Sequence, residues 1–236
     1  MQKTIRVRAI IMVFQLKTKV AKVMILKVRN KSFLLGVSAF IVFLIFMSGV
    51  LTHADWISNF DSQVSQFVRS DLTPKLTLLT IHFTQLANVI PVISFTLGMT
   101  LILTLTDHFR AAVFLVINSL GLSGPVNMLV KHYVNRPRPT LHHLVTVHST
   151  SFPSGHSMSA MMIGGSLIII ANHLLKKRSY RVIFDILIGL LIFFIGISRI
   201  YVGVHFASDV VGGWSLGLCL LLLSQFVFNR FLGGTA

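Results

Sequence analysis

Three short stretches carry residue types that can do chemistry, at spacings that make them useful together. Pro153-Ser154-Gly155-His156 stands where a polar loop turns into the apolar run Met158 to Ala171. Serine is a preferred N-cap and glycine lets a ligand approach the backbone. The first helical turn presents unpaired N–H groups and the positive dipole end, so this pattern attracts phosphate. His156, in that turn, is a residue that gives or takes a proton near neutral pH. Upstream, Lys131, Arg136 and Arg138 gather within eight residues, and Pro137 and Pro139 stop any helix there. Downstream, Ser198-Arg199 is followed by His205 and Asp209. Four apart, these two share a face if helical, and the carboxylate then holds one imidazole nitrogen, the orienting half of a catalytic dyad. A structural ion pair between Arg199 and Asp209 is the plainer alternative.

The elements that must position these groups are membrane spans. The chain has 236 residues, of which 54% are hydrophobic and 11% charged, with a mean hydropathy of +0.81, which excludes an ordinary soluble domain. Apolar runs at Phe33 to Leu51, Val89 to Thr106, Ala111 to Val130, Met158 to Ala171, Val182 to Ser198 and Val210 to Phe228 each approach the length that crosses about 30 Å of hydrocarbon. The fourth reaches it once the helix entrance at Ser154 and the tail to Leu175 are added. The expected fold is all-α, a polytopic six-transmembrane-helix bundle. After the first span, Trp56, Ile57, Phe60, Val64, Phe67 and Val68 recur at helical spacing, predicting an interfacial helix over Asp55 to Asp71. Thr73-Pro74 reads as N-cap and first helical position of a stretch to Gln85 that extends the second span, with Pro91 as a kink. His82 and Gln85 there are candidate substrate contacts, with packing as the plainer role. Asn118, Ser123, Gly124 and Asn127 suit helix contacts within the third span.

Fifteen of the twenty-one Lys and Arg fall at one side of this layout: nine in residues 1–31, Arg110, the cluster Lys176, Lys177, Arg178 and Arg181, and Arg230. Positive loops stay in the cytoplasm, so both termini are expected there and the three motifs on the outer face of the cell membrane. Lys131, Arg136 and Arg138 lie against that rule, which calls for an anionic partner. The net charge of +15 follows this asymmetry and the pull of anionic headgroups, and implies no nucleic acid. The expected organisation is a basic cytoplasmic segment (1–32), a six-span domain (33–230) and a tail (231–236). The basic segment reads as a topogenic flank, or as a helix lying on the inner leaflet, and the first run as an uncleaved span. Cys219 is the single cysteine, so no intrachain disulfide forms. His142, His143 and His148 match no standard zinc spacing and read as a solvated loop.

Taken in order, Lys131-x6-Arg138-Pro139, Pro153-Ser154-Gly155-His156 and Ser198-Arg199-x5-His205-x3-Asp209 resemble the type 2 phosphatidic acid phosphatase superfamily, with every motif position filled. The resemblance implies an integral membrane lipid phosphatase in which Lys131, Arg138 and Arg199, with Ser154 and Gly155, cradle the phosphate. It implies His205 as nucleophile, held by Asp209 and giving a phosphohistidine, and His156 as the acid that protonates the leaving oxygen and then activates water. Arg136 falls outside the family spacing and is expected to steer the anionic headgroup. The implied substrate is a phospholipid or polyprenyl diphosphate: undecaprenyl diphosphate, phosphatidylglycerophosphate or phosphatidic acid. No cofactor or metal is implied, since cationic side chains take the place of a divalent ion, and no obligatory protein partner is evident. Two other classes compete. A proton-coupled transporter or channel predicts mid-span charges, whereas the runs carry almost none beyond Asp185. A catalytically silent lipid-binding relative predicts loss of His156, His205 or Asp209, and all three stand. Soluble vanadium haloperoxidases carry similar motifs, but six spans argue against that reading.

Overall fold

The computed structural model describes residues 31–147 and 149–231; the basic segment before Lys31, His148 and the tail after Phe231 lie outside the described residues. All regular elements among the described residues are helical. In chain order they are α1 (Lys31–Leu51), α2 (Asp55–Val68), α3 (Pro74–Gln85), α4 (Val89–Leu105), α5 (Phe109–Val116), a π-helical segment (Ile117–Ser123), α6 (Gly124–Val134), α7 (Gly155–Leu174), α8 (Arg178–Tyr201) and α9 (Ala207–Phe231). Among the described residues, five helices are long and apolar enough to cross a membrane: α1, the continuous run Phe109–Val134, α7, α8 and α9. α3 and α4, bent by 53° at their break, pass the same test together and make a sixth when counted as one broken span. The expected extension of the second span is thus present, but it breaks at residues 86–88. Pro91 sits at the third position of α4, where a missing N–H costs nothing, and so does not kink it.

α7 is the central helix, half of its apolar stretch buried within the protein, and it packs on α8, α9, α5, α6 and the π segment. Phe43 and Val50 of α1, Ile57 of α2, Phe152, Met158 and Met162 beside and in α7, and Leu216 of α9 form one core cluster. Many large apolar side chains instead face outward along the spans, among them Phe33, Val89, Leu105, Ile186 and Leu187. An apolar surface on this scale belongs in hydrocarbon. α7 and α9 approach closely because Gly213 faces the start of α7: a Cβ there would lie 2.6 Å from the Ser154 carbonyl oxygen. The amide and hydroxyl groups of the third span make the expected bundle contacts, Asn118 accepting from Ser224 (2.6 Å), Ser123 meeting Ser159 (2.8 Å) and Asn127 donating to the Pro153 carbonyl (3.2 Å). Asp185 is held by Asn172 at 3.0 and 3.1 Å, a structural contact.

The connections at one end of the bundle are tied together. Ser151 N–H donates to the Arg136 carbonyl (2.9 Å), Leu144 N–H to Val202 (3.0 Å) and Ser154 N–H to Asp209 (2.9 Å). Arg69, just after α2, donates to the carbonyls of Tyr201 (2.6 Å) and His142 (3.3 Å), satisfying an acceptor at the C-terminus of α8. α2 packs on α8 and α9 through Phe60, Val64 and Val68.

Candidate active site

At this tied end the three motifs meet. α6 ends where Asn135 turns left-handed (φ 45°) ahead of the two Arg-Pro pairs, which brings Lys131 and the 136–139 loop over the starts of α7 and α9. Lys131 Nζ donates to the carbonyls of Thr150 and, at 3.3 Å, Ser151. Arg138 is fixed by Nε to the Ser149 carbonyl (2.6 Å) and by Nη1 to the Val204 carbonyl (2.6 Å), and Nη1 also lies 3.4 Å from His205 Nε2. Arg199, at 3% exposure, gives Nη1 to Thr84 Oγ1 (2.8 Å), while its buried Nε has no protein partner. That orphaned donor beside two other cations is suited to an anionic oxygen.

Ser154 caps α7 as expected: its Oγ accepts from Ser157 N–H (3.4 Å) and Ser157 Oγ (3.0 Å). Because its own N–H is taken by the Asp209 carbonyl, the open backbone donors of this turn are those of Gly155 and His156, for which no acceptor stands among the described residues. His156 Nε2 lies 3.0 Å from Asn88 Oδ1, the residue that ends the break in the second span.

His205 and Asp209 are joined as expected, Nδ1 to Oδ2 at 3.2 Å, for a different reason. His205 precedes α9, so the two do not share a helical face. Asp209 is the third residue of α9 and folds back to accept Phe206 N–H (2.9 Å), as in a capping box, and this holds Oδ2 beneath the imidazole. With Nδ1–H assigned to that bond, Nε2 carries the lone pair and faces Arg138. Burial holds the His205 imidazole well below the usual histidine range, and Arg199, Arg138 and Lys131 push it the same way. Arg138 is itself lowered by burial, against the pull of Asp209. The alternative ion pair of Arg199 with Asp209 does not form. Asp209 pairs with Arg136 at 2.7 Å.

Arg136 departs from the expected steering role. It is 14% exposed and committed on both sides, to Asp209 and through Nη2 to Asp61 at 2.8 Å. Asp61, on α2, is 4% exposed and also accepts Ser208 N–H (2.7 Å) and Ser208 Oγ (2.8 Å). Burial raises its carboxyl, opposed by Arg136 and Ser208. Sequence reasoning passed over Asp61 and Asn88. Asp61 had a signal: a carboxylate on the same helical face as Ile57, Val64 and Val68. His82 Nδ1 lies on the Leu78 carbonyl (2.8 Å), a local contact, and His143 Nε2 on the Pro139 carbonyl (2.8 Å). Among the described residues no three His, Cys, Asp or Glu side chains cluster as a metal site would need.

Beside His156, an apolar groove of about 330 Å³ runs between Leu86, Pro91 and Phe95 of the broken span and Ala160, Ile188 and Ile192 of α7 and α8.

A family model described as PAP2 superfamily matches residues 112–232. The chain is 32% identical over 191 residues to phosphatidylglycerophosphatase B of Bacillus subtilis, covering 79% of this chain and 91% of that protein. It is 32% identical over 100 residues to an undecaprenyl-diphosphatase of Sulfolobus acidocaldarius (42% and 40%) and 36% identical over 118 residues to a lipid A 1-phosphatase of Rhizobium johnstonii (46% and 44%). Among solved structures it matches the transmembrane PAP2-type phosphatidylglycerolphosphate phosphatase of Bacillus subtilis with a TM-score of 0.71 at 29% identity, covering 83% of this chain and 96% of that one. The fold also matches Aquifex aeolicus LpxE with a TM-score of 0.57 at 23% identity (70% and 93%).

Proposed function

Because the chain belongs to the PAP2 superfamily and is a multi-pass membrane lipid phosphatase, we propose that His205 is its nucleophile and that Lys131, Arg138 and Arg199 bind the phosphate. The observation that carries this is the His205 ring, with Nδ1 held by Asp209 and Nε2 facing Arg138, in the field of Arg199 and Lys131. In the first step Nε2 forms a bond to phosphorus as the bond to the lipid oxygen breaks, and His156 gives that oxygen its proton. In the second, His156 takes a proton from water, the water oxygen attacks phosphorus, and the N–P bond breaks to release inorganic phosphate. Ser154 shapes this cradle by capping α7, and the Gly155 and His156 N–H groups add donors. The cations and these dipoles stabilise the charge that spreads over the equatorial oxygens, so this reading needs neither metal nor protein partner.

The proposed substrates are lipids with a phosphomonoester or diphosphate end, phosphatidylglycerophosphate first, since the relative matched over nine tenths of its length is named for it. Undecaprenyl diphosphate is the second reading, favoured by the Sulfolobus relative. The groove beside His156 would take the lipid's first methylenes. The proposed organisation is 33–230 as the phosphatase domain, 1–32 as a cytoplasmic basic segment and 231–236 as a cytoplasmic tail. The test is phosphate release by the purified protein in detergent from phosphatidylglycerophosphate, undecaprenyl diphosphate and phosphatidic acid, with and without EDTA. Release is expected to persist in EDTA, to be lost in His205→Ala, and to be inhibited by vanadate, which mimics the trigonal bipyramid in the cradle. Activity abolished by EDTA and restored by magnesium overturns the mechanism.

A further inference from the structure

We infer that Asp61 of α2 is a positioning residue for this reaction, setting through Arg136 the net charge behind the Asp209–His205 pair. The inference rests on His205 as nucleophile. Asp61 lies outside residues 112–232 matched by the family model, and the PAP2 motifs do not include it.

Arg136 bridges two buried carboxylates, 2.7 Å from Asp209 Oδ1 and 2.8 Å from Asp61 Oδ2. It also donates to Ser208 Oγ (2.7 Å) and lies 3.9 Å over the Phe206 ring, so its position is fixed from four sides. Two of Asp61's partners, Ser208 N–H and Arg136 Nη2, can only donate, which selects the ionised carboxylate. Asp61, Arg136 and Asp209 together therefore carry one net negative charge. Without Asp61, Arg136 would cancel Asp209 and leave none. The other side of His205 is faced by Lys131, Arg138 and Arg199, with His156 across the site. When Nε2 gives its lone pair to phosphorus, the ring keeps its Nδ1–H and gains positive charge among those cations. A net negative group behind Nδ1 offsets that change. Asp61 thus allows Arg136 to fix the Asp209 carboxylate without neutralising its effect. The same carboxylate holds Ser208 N–H at the start of α9, tying the charge and the helix end to one element.

The test compares kcat/KM against pH for the wild type, Asp61→Asn, Arg136→Gln and the double variant, in detergent, with melting temperatures measured alongside. Asp61→Asn is expected to fold, since the amide oxygen still accepts from Ser208 N–H. Its kcat/KM is expected to fall roughly ten- to a hundredfold, as when a partner behind a working ligand is lost. Its acid limb should move to lower pH on the order of one unit, because removing a negative charge makes the imidazole harder to protonate. Arg136→Gln removes a positive charge and should move the limb to higher pH. The double variant restores the charge balance, so its limb should return near the wild-type position and its rate should exceed that of Asp61→Asn. If Asp61→Asn gives too little folded protein, the limb of the double variant against that of Arg136→Gln decides, with the same displacement expected. Limbs that coincide in all variants, with melting temperatures that fall and a double variant worse than either single one, overturn the inference and leave Asp61 a fastener of α2 to α9. His205→Ala separates the two failures: if it stays active, the functional reading falls first.

Discussion

His205 gives Nδ1 to Asp209 and turns Nε2 to Arg138, whereas His156 is tied by Nε2 to Asn88, so the two imidazoles are expected to fail differently. His205→Ala should abolish phosphoenzyme altogether. His156→Ala should slow both steps, yet a substrate with a good leaving group still phosphorylates His205, and acid-labile phosphate then accumulates because water is not activated. Phosphate trapped on the His205 variant but not on the His156 variant reverses the roles. Asp209→Asn should lower kcat by about 10³- to 10⁴-fold, as losing the carboxylate orienter does in hydrolytic triads. The acid limb of kcat/KM should lie below the ordinary histidine value of about 6.5, because burial and the neighbouring cations hold His205 neutral and only the neutral ring attacks. A limb at or above that value counts against His205. The cations and histidines were legible because their types and local spacings are unusual in an apolar chain. For Asp61 the apolar face of α2 signals burial but not a partner, because Arg136 is 75 residues away and only the folded chain brings them together. Arg136 was misread for the same reason.

At the scale of elements, the start of α7 depends on two contacts with testable consequences. Ser154→Ala removes the cap from Ser157 N–H and should cost about 1 kcal/mol of stability, read as a lower melting temperature in detergent. Gly213→Ala should cost activity as well. Its Cβ would lie 2.6 Å from the Ser154 carbonyl and push α7 from α9 where the Ser154 N–H to Asp209 bond joins them. Gly189→Ala, with open space around its Cβ, is the control and should be silent. A Gly213→Ala protein with wild-type kcat and melting temperature shows that the helix contact is not what sets the site. The helix entrance at Ser154 was readable from cap chemistry, and α2 from its apolar spacing. The break at residues 86–88 and the π segment were not: Pro91 pointed to a kink a few residues late, and Gly121 and Pro125, within and just after the π segment, do not specify a π-helix. Asn88, which starts α4, spends its side chain on His156 instead of a cap, so the second span breaks at a contact with the candidate site.

At the scale of the molecule, the helix order places the connections after α1, α6 and α8 at the end that carries the site, and those between α4 and α5 and between α7 and α8 at the other. The basic residues divide along the same line. Arg110, Lys176, Lys177, Arg178 and Arg181 lie at the far end, whereas Arg69, Lys75, Lys131, Arg136, Arg138 and Arg199 lie at the site end, where the structure gives all but the exposed Lys75 a carbonyl, hydroxyl or carboxylate partner. Cations held by protein groups around a site are weak topogenic signals, so the cluster at the far end predicts that this end is cytoplasmic and the site faces outward. Two single cysteines in a Cys219→Ser background read this directly. His143 is exposed at the site end and Lys177 at the far end. A membrane-impermeant maleimide applied to intact cells should label His143→Cys, and should label Lys177→Cys only after permeabilisation. The reverse pattern inverts the topology, and with it the leaflet from which the phosphatase takes its lipid.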